Sequence, residues 1–230
     1  MILVEAIDEY ARELELNSSA DSQSNRGSIG LLKQYLTTRT ETPTQLSAAV
    51  LRDFVSRWWI ERAVSNEESP AATLLKSLTS FLAWLNRGDA TGAEAECTCL
   101  LEELSKTLPR AIEITAALSR HVGKRGGAFS FPEFLTTFAD GGQSQYDIDV
   151  AGEGGGPGAI EGYFRIIRVE GSSVEVEEII SEERSWPLTL PDEIASLIEP
   201  GYIVNLEIIR NREVWLISAC GFAYPPGTEM

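Results

Sequence analysis

The sequence is poor in the side chains on which metal sites and nucleophilic enzymes depend. Its 230 residues include one histidine, three cysteines and two methionines. A tetrahedral zinc site takes four ligands, mostly cysteine and histidine, so Cys97 and Cys99 with a lone His121 predict no metal site. An odd number of cysteines in a chain of this size also argues against a disulfide framework and favours a reducing compartment.

Long apolar runs are absent as well. No segment reaches the roughly 18 uninterrupted apolar residues that a membrane-spanning helix needs. The opening sequence, MILVEAIDEYARELEL, has no basic start and carries acidic residues from Glu5 onward, unlike a secretory signal. We therefore expect a cytoplasmic protein that does not bind membranes.

Signatures of nucleotide and covalent chemistry are also missing. The glycine-rich residues 152–158 have neither the ending of a P-loop nor a dinucleotide-binding pattern, and Glu153 would repel phosphate, which favours a linker. His121 lacks the flanking sequence of a nucleophile elbow. Adjacent strand residues such as Glu177 and Glu178 face opposite ways, so they do not form an acid/base pair. The sequence predicts a non-enzyme with no catalytic residue and no bound cofactor.

Charge is distributed unevenly along the chain. The formal net charge of −16 divides into −4 over residues 1–30, +1 over residues 31–125 and −13 over residues 126–230. A near-neutral middle region can approach a polyanion, whereas the acidic C-terminal region repels phosphates and tolerates basic partners.

The middle of the chain has clear helix signals. Thr42-Pro43-Thr44-Gln45 fits a capping box, so we expect a helix with Thr42 as its N-cap. Apolar residues then recur at i, i+4 spacing in the row Leu46, Val50, Phe54 and Trp58. This row places Trp58 in the core. Trp59 falls at the edge of the apolar sector, where it either packs on a following element or stays partly exposed for a partner.

Other helices are predicted on both sides of this one. They are an N-terminal amphipathic helix, a short helix over residues 29–35, and helices over residues 70–87, 93–108 and 111–122. Pro109 is expected to interrupt the helical structure between the last two of these helices, because proline removes a helical hydrogen bond. The polar residues 17–28 are typical of a flexible linker.

Beyond Gly126 the pattern changes from helical to strand-like. Five short strands, with one small helix among them, are predicted within residues 160–226 and favour a small antiparallel barrel. The positions expected to point outward are Glu175, Glu177, Asn205 and Glu207. The aromatic tail around Phe222 and Tyr224 either closes the barrel or presents a peptide.

These patterns together predict an α+β protein, in which an all-α helical bundle is followed by a small antiparallel β-barrel of about five strands. We expect an N-terminal helix and flexible linker in residues 1–27 and a helical bundle in residues 28–138. A glycine-rich linker in residues 139–159 then leads to a small acidic β-barrel in residues 160–226.

Two stretches carry a likeness to a known family. LLKQYLTTRTETPTQLSAAVLRDFVSRWW contains a leading Leu-Tyr-Leu helix and a Thr-capped helix, and PAATLLKSLTSFLAWL closes with Leu78-x-x-Phe81-Leu82-x-Trp84-Leu85. Residues of about 28–88 thereby resemble the helical core-binding (SAM-like) domain of tyrosine recombinases and phage integrases. The resemblance implies a DNA-clamping module. In that family the catalytic residues lie in a second domain, whose place is taken here by a β module, so no catalytic residue is carried over.

Two kinds of surface residue are candidates for function. Basic residues of the middle region could contact nucleic acid: Arg52, Arg57, Lys76, Arg120, Lys124 and Arg125. The last three lie in SRHVGKRGG, where they also suit the end of a helix. Trp59 and Trp84 are candidates for a partner surface.

Two functions remain open at this point. The first is a non-enzymatic adaptor that binds another protein. The alternative is a nucleic-acid-associated protein that uses a recombinase-like helical module without recombinase catalysis. Homo-oligomers are compatible with both functions.

Overall fold

The computed structural model describes residues 3–16, 20–39, 46–63, 70–88, 93–124, 159–180, 184–212 and 214–230. The chain forms two compact units. The first comprises Met1–Arg110 with Glu229, and the second comprises Ala111–Thr228 with Met230. Residues 139–158 of the predicted glycine-rich linker lie outside the described residues. The domain boundaries expected from the sequence therefore stay a prediction.

The first unit is helical. Its elements are α1 (Leu3–Leu16), α2 (Ala20–Thr38), α3 (Ala48–Asp53), a π-helical turn (Phe54–Trp58), α4 (Trp59–Ala63), α5 (Pro70–Leu85) with a 3₁₀ turn (Asn86–Gly88), and the first part of α6 (Ala93–Lys124). Helix α2 packs against both α1 and α5. Each helix buries its apolar face, as α2 does with Ile29, Leu32 and Leu36, because an amphipathic helix is stabilised mainly by that burial.

The prediction of a flexible linker over residues 17–28 is wrong from Ala20 onward, where α2 begins. Tertiary contacts override the weak helix propensity of this polar stretch. Ser77 of α5 donates a hydrogen bond to Asn25 over 2.8 Å, and Arg26 forms an ion pair with Glu15 of α1.

Helix α3 begins later than the capping pattern predicts. Ser47 is the N-cap, because its hydroxyl accepts a hydrogen bond from the Val50 N–H over 3.3 Å and its carbonyl accepts the Leu51 N–H over 2.9 Å. Leu46 is buried and precedes the helix. The expected cap, Thr42, lies outside the described residues.

Helix α6 runs unbroken through Pro109, contrary to the predicted interruption. The apolar residues on either side explain its continuity, because Leu104 and Leu108 are buried before the proline and Ala111 and Ile114 are buried after it. The division between the two units falls inside this helix, at Arg110 and Ala111.

The second unit contains a closed five-stranded barrel. Its strands are β1 (Ile160–Glu170), β2 (Ser173–Glu178), β3 (Ser185–Thr189), β4 (Ile203–Asn211) and β5 (Val214–Tyr224), with a short helix α7 (Asp192–Ala195) between β3 and β4. The strand order is β1-β2-β3-β5-β4. The predicted fold class, α+β with a small five-stranded barrel, is confirmed. The barrel is mixed, since β3 and β5 are parallel whereas the other neighbours are antiparallel.

Alternation along the strands fills the barrel with apolar side chains. Val174 and Val176 of β2 are buried, whereas Glu175 and Glu177 between them are only half-buried and lie on the opposite face. Asn205 and Glu207 alternate with buried residues of β4 in the same way, so the four outward positions are confirmed. Buried residues of α6 complete this core: Ala111, Ile114, Ala117, Leu118 and Val122.

The aromatic tail belongs to the barrel. Phe222 and Tyr224 lie in β5 and are buried. The ring of Tyr224 lies 6.0 Å from that of Tyr163 on β1. Of the two interpretations of the tail, closure of the barrel is the one that the structure supports.

Candidate interaction surface

The two adjacent tryptophans differ in exposure, and the difference corrects the prediction for Trp58 and decides the one left open for Trp59. Trp59 is buried, with 2 % of its surface exposed. Trp58, predicted to be in the core, is half-buried. Trp59 therefore belongs to the interior of the first unit, and Trp58 is the tryptophan available at its surface.

A π-helical turn accounts for this difference. The N–H of Trp59 bonds to the carbonyl of Phe54, five residues earlier, instead of four. The extra residue rotates every later side chain by about 100° relative to a continuous α-helix. As a result Trp59 and Ile60 become buried, although the i, i+4 row that starts at Leu46 points to Trp58.

Trp58 is held among aromatic and cationic groups. The guanidinium carbon of Arg62, one helical turn later, lies 4.4 Å from its ring centroid. The Tyr35 ring of α2 meets it edge-on at 5.7 Å, and the Phe54 ring lies at 5.7 Å on another side. These contacts restrict the rotamers of Trp58 while leaving part of its indole exposed.

A polar network fixes the tyrosine beneath it. The Tyr35 hydroxyl donates to Asp53 Oδ2 over 2.6 Å, and Arg39 donates to the same oxygen over 2.7 Å. Arg39 also donates to the Tyr35 hydroxyl, and its guanidinium carbon lies 5.2 Å from the tyrosine ring centroid. Burial, with the Asp53 carboxylate as the next cause, raises the pKa of Tyr35 above its ordinary value.

We call Trp58, Arg62, Arg39 and Asp53, together with the buried Tyr35 beneath them, the Trp58 surface. Four of these residues were not singled out from the sequence. The signal was nevertheless present, because Tyr35/Arg39 and Trp58/Arg62 are both aromatic–arginine pairs at i, i+4 spacing, which places a cation beside a ring on a helix.

Trp84, the second tryptophan expected at a partner surface, is also half-buried. Its ring stacks on Phe81 with centroids 6.2 Å apart and an interplanar angle of 13°. Its indole N–H donates to Glu13 of α1, and Arg87 forms an ion pair with the same carboxylate over 3.5 Å. Trp84 therefore fastens α5 to α1, which gives it a structural role.

Of the basic residues expected to contact nucleic acid, the four whose side chains are described lie on four different elements. Arg52 donates two hydrogen bonds to Glu103, over 3.0 and 2.9 Å, and Arg57 lies 3.6 Å from Glu61. Lys76 is exposed on α5.

The other three basic candidates lie between residues 120 and 125 of the sequence. Arg120 is exposed near the end of α6, where it donates to the carbonyl of Ala116 over 3.1 Å. Lys124 is the last residue of α6, its side chain lies outside the described part of the structure, and Arg125 lies wholly outside it.

Three further features of the described residues bear on function. Among the residues that the structure describes, no group of three or more His, Cys, Asp and Glu side chains is arranged to hold a metal ion. Burial raises the pKa of the Cys97 and Cys220 thiols, which lowers the thiolate fraction available as a nucleophile. None of the described helices is long and apolar enough to cross a membrane.

Comparison with protein-family models, with curated proteins and with solved structures finds no match for this chain. The resemblance of residues 28–88 to a recombinase core-binding domain therefore stays a prediction.

Proposed function

We propose that the protein is a non-enzymatic adaptor, and that it binds a protein partner through the Trp58 surface. The observation that carries this proposal is the half-buried Trp58 ring, covered on one side by Arg62 and braced by Tyr35. Tryptophan and arginine, which Trp58 and Arg62 supply here, are among the residues most enriched at the positions that dominate binding energy in protein interfaces. Because the ring is already held in place, binding costs little additional side-chain entropy.

Electrostatics favour a protein partner over a polyanion. Six basic residues of the first unit lie in ion pairs with carboxylates: Arg26, Lys33, Arg39, Arg52, Arg57 and Arg87. Affinity for nucleic acid comes largely from cations that neutralise phosphates. Cations already matched by carboxylates would have to give up those pairs. A cytoplasmic location is part of this proposal, supported by the three free thiols.

The test compares proteins captured from the native host by the wild type, by Trp58→Ala and by Trp84→Ala. The adaptor proposal predicts at least one protein that binds the wild type and Trp84→Ala at equal levels and does not bind Trp58→Ala. Trp84 is the matched control, since it is also half-buried and lies in the same unit. Equal capture by all three chains would contradict a role for Trp58.

A second candidate function, association with nucleic acid, is favoured by the topology of the barrel. The order β1-β2-β3-β5-β4, with β3 and β5 parallel and a helix before β4, is that of oligonucleotide-binding barrels. Those barrels bind ligands on the face of β2 and β3. Here that face carries Glu175 and Glu177, and Arg165 is engaged by Glu177 at 3.8 Å. The topology supports the second candidate, and the acidic face weighs against it.

Fluorescence polarisation with labelled duplex and single-stranded DNA across a salt series tests this candidate. If the helical unit binds, Arg52→Glu with Arg57→Glu weakens binding and lowers the salt slope by about one for each phosphate that the variant no longer neutralises. If the barrel binds, Arg165→Glu with Arg168→Glu has that effect instead. Absence of binding at low salt with both ligands would exclude DNA association by either surface.

A further inference from the structure

The hairpin formed by β4 and β5 exposes an apolar patch on the outside of the barrel. Ile209 and Val214 have 38 % and 46 % of their surface exposed, and Leu216 is half-buried. Ile209 lies directly opposite Leu216, and Asn211, two residues further along β4, lies opposite Val214. Residues directly or diagonally opposite on one sheet face are within contact distance. The three aliphatic side chains therefore form one continuous patch.

Two carboxylates border this patch. Glu207 is two residues before Ile209 on β4, so it lies on the same face, about 7 Å away along the strand. Glu161 of β1 lies directly opposite Glu207, and like charges in that position repel each other. Neither glutamate takes part in the ion pairs that are described in the barrel. Their negative charge is therefore not neutralised within the described part of the chain.

The nearby arginines are engaged elsewhere. Arg210 lies opposite Trp215, which packs against the barrel core, so its side chain projects from the other face of the hairpin. Its Nε donates to the carbonyl of Arg212 over 3.2 Å. On β1, Arg165 lies 3.8 Å from Glu177 of β2. We call the acidic and apolar residues of the outer face together the hairpin face: Glu161, Glu207, Ile209, Val214 and Leu216.

The position of β4 within the sheet limits what can bind to this face. Strand β4 has β1 on one side and β5 on the other, so no further strand can add to it through main-chain hydrogen bonds. An occupant must bind through its side chains and satisfy its own backbone, as a helix does. Side chains one turn apart on a helix are about 6 Å apart along its axis. That distance is close to the separation of Ile209 and Glu207.

We propose that the hairpin face binds a basic amphipathic helix of a partner protein. Apolar side chains of that helix cover Ile209 and its two aliphatic neighbours, and a lysine or arginine one turn away lies between Glu161 and Glu207. Burial of the apolar patch supplies the affinity. The cation removes the repulsion between the carboxylates and thereby fixes the orientation. This surface is independent of the Trp58 surface, because the two belong to different units of the chain.

Fluorescence polarisation with a labelled synthetic helix tests the proposal on the full chain. The peptide has about 18 residues, with leucines at i, i+3 and i+4 spacing on one face and lysines beside them. A second peptide has glutamate in place of every lysine. We expect the lysine peptide to bind the wild type, and the glutamate peptide to bind at least about tenfold more weakly.

Ile209→Gln tests the apolar contact. We expect this substitution to raise the Kd of the lysine peptide by about fivefold or more. Ile167→Gln is the matched control, since Ile167 is also 38 % exposed and lies on β1 beyond the residues that pair with β4. It should leave the Kd within about twofold of the wild-type value, because Ile167 lies outside the hairpin face.

Glu161→Gln with Glu207→Gln tests the acidic border. We expect this double variant to raise the Kd of the lysine peptide by about tenfold or more. Asp192→Asn with Glu193→Gln is its control, because it removes the same number of charges from exposed residues of α7. The control should raise the Kd by about twofold at most, since salt screens charges that the peptide does not touch.

Charge reversal distinguishes a lost contact from misfolding. Glu161→Lys with Glu207→Lys should bind the glutamate peptide at least about fivefold more tightly than the wild type does. Asp192→Lys with Glu193→Lys has the same net charge, and its affinity for that peptide should stay within about twofold of the wild type. A gain in affinity at the first pair of positions cannot come from a misfolded chain.

Two results would overturn the proposal. One is a wild-type chain that does not bind the lysine peptide. The other is a Kd that changes equally in the hairpin-face variants and in their matched controls, because binding would then follow the net charge of the chain and not this surface.

Discussion

Thr115 of α6 and Ala223 of β5 are joined by a hydrogen bond across 108 residues of sequence. The Thr115 hydroxyl oxygen accepts the Ala223 N–H over 2.8 Å, and its O–H donates to the carbonyl of Ala111 over 2.9 Å. Both residues are buried. Ala223 lies beside β4 in the sheet. Its buried N–H would have no hydrogen-bond acceptor without the hydroxyl of Thr115. The end of α6 is therefore an integral part of the barrel unit.

Replacing Thr115 should destabilise the barrel unit through this one bond. Thr115→Val keeps the shape and removes the acceptor, so we expect the free energy of unfolding to fall by about 1–3 kcal/mol. Thr115→Ser keeps the hydroxyl and should cost less than half as much. Urea denaturation followed by circular dichroism measures both. A valine variant as stable as the serine variant would show that the bond contributes little.

Trp59 and Trp58 should respond very differently to truncation. Trp59→Ala leaves a cavity in the core, so we expect the free energy of unfolding to fall by about 3–5 kcal/mol. Trp58→Ala should cost clearly less, because part of that ring already lies in water. The same denaturation experiment on both variants checks the π-helical turn. Equal destabilisation, or a larger effect of Trp58→Ala, would indicate a continuous α-helix through this region.

Alkaline pH should weaken the first unit through Tyr35. Because burial and Asp53 raise the pKa of this phenol in the folded chain, folding favours its protonated form. Its contribution to stability is present below the unfolded pKa of about 10 and is lost as the pH rises above that value. We expect Tyr35→Phe to be less stable than the wild type at pH 7 and the difference to shrink by pH 11. A stability difference between the two chains that stays the same from pH 7 to pH 11 would contradict a raised pKa for Tyr35.

The three thiols should differ in reactivity. Cys99 is exposed, Cys97 is buried and Cys220 is partly buried beside Ser119. Burial raises the pKa of both Cys97 and Cys220. In the native chain we expect one thiol to react quickly with Ellman's reagent and the other two more slowly, by roughly tenfold or more. Cys99→Ser should abolish the fast phase. A fast phase that survives this substitution would place another cysteine at the surface.

Sequence periodicity was enough to predict the architecture, because alternation along β2 and β4 and the apolar faces of α5 and α6 follow regular helical and strand geometry. The π-helical turn could not be predicted in this way. Its extra residue leaves the sequence pattern unchanged, yet it decides which tryptophan faces the surface. The bond between Thr115 and Ala223 was equally inaccessible, because a threonine within a helix has no local feature that identifies a partner 108 residues away.

Candidate functional residues were harder to predict than the fold, because the groups that they contact lie far away in the sequence. Arg52 was singled out as a cation, and its carboxylate partner Glu103 is 51 residues away. Charge counted along the chain therefore overstates the positive surface of the first unit. The sequence alone does not identify Arg62 and Arg39, because their contacts depend on the orientation of the Trp58 and Tyr35 rings.

The most direct test of the adaptor proposal is site-specific photocrosslinking in living host cells. The photoreactive amino acid p-benzoylphenylalanine replaces Trp58 in one chain, Trp84 in a second and the exposed Lys106 in a third. The proposal predicts a discrete protein adduct from position 58 that is reduced by Arg62→Glu and is absent from positions 84 and 106. The same adducts from all three positions, or none from position 58, would contradict binding through the Trp58 surface.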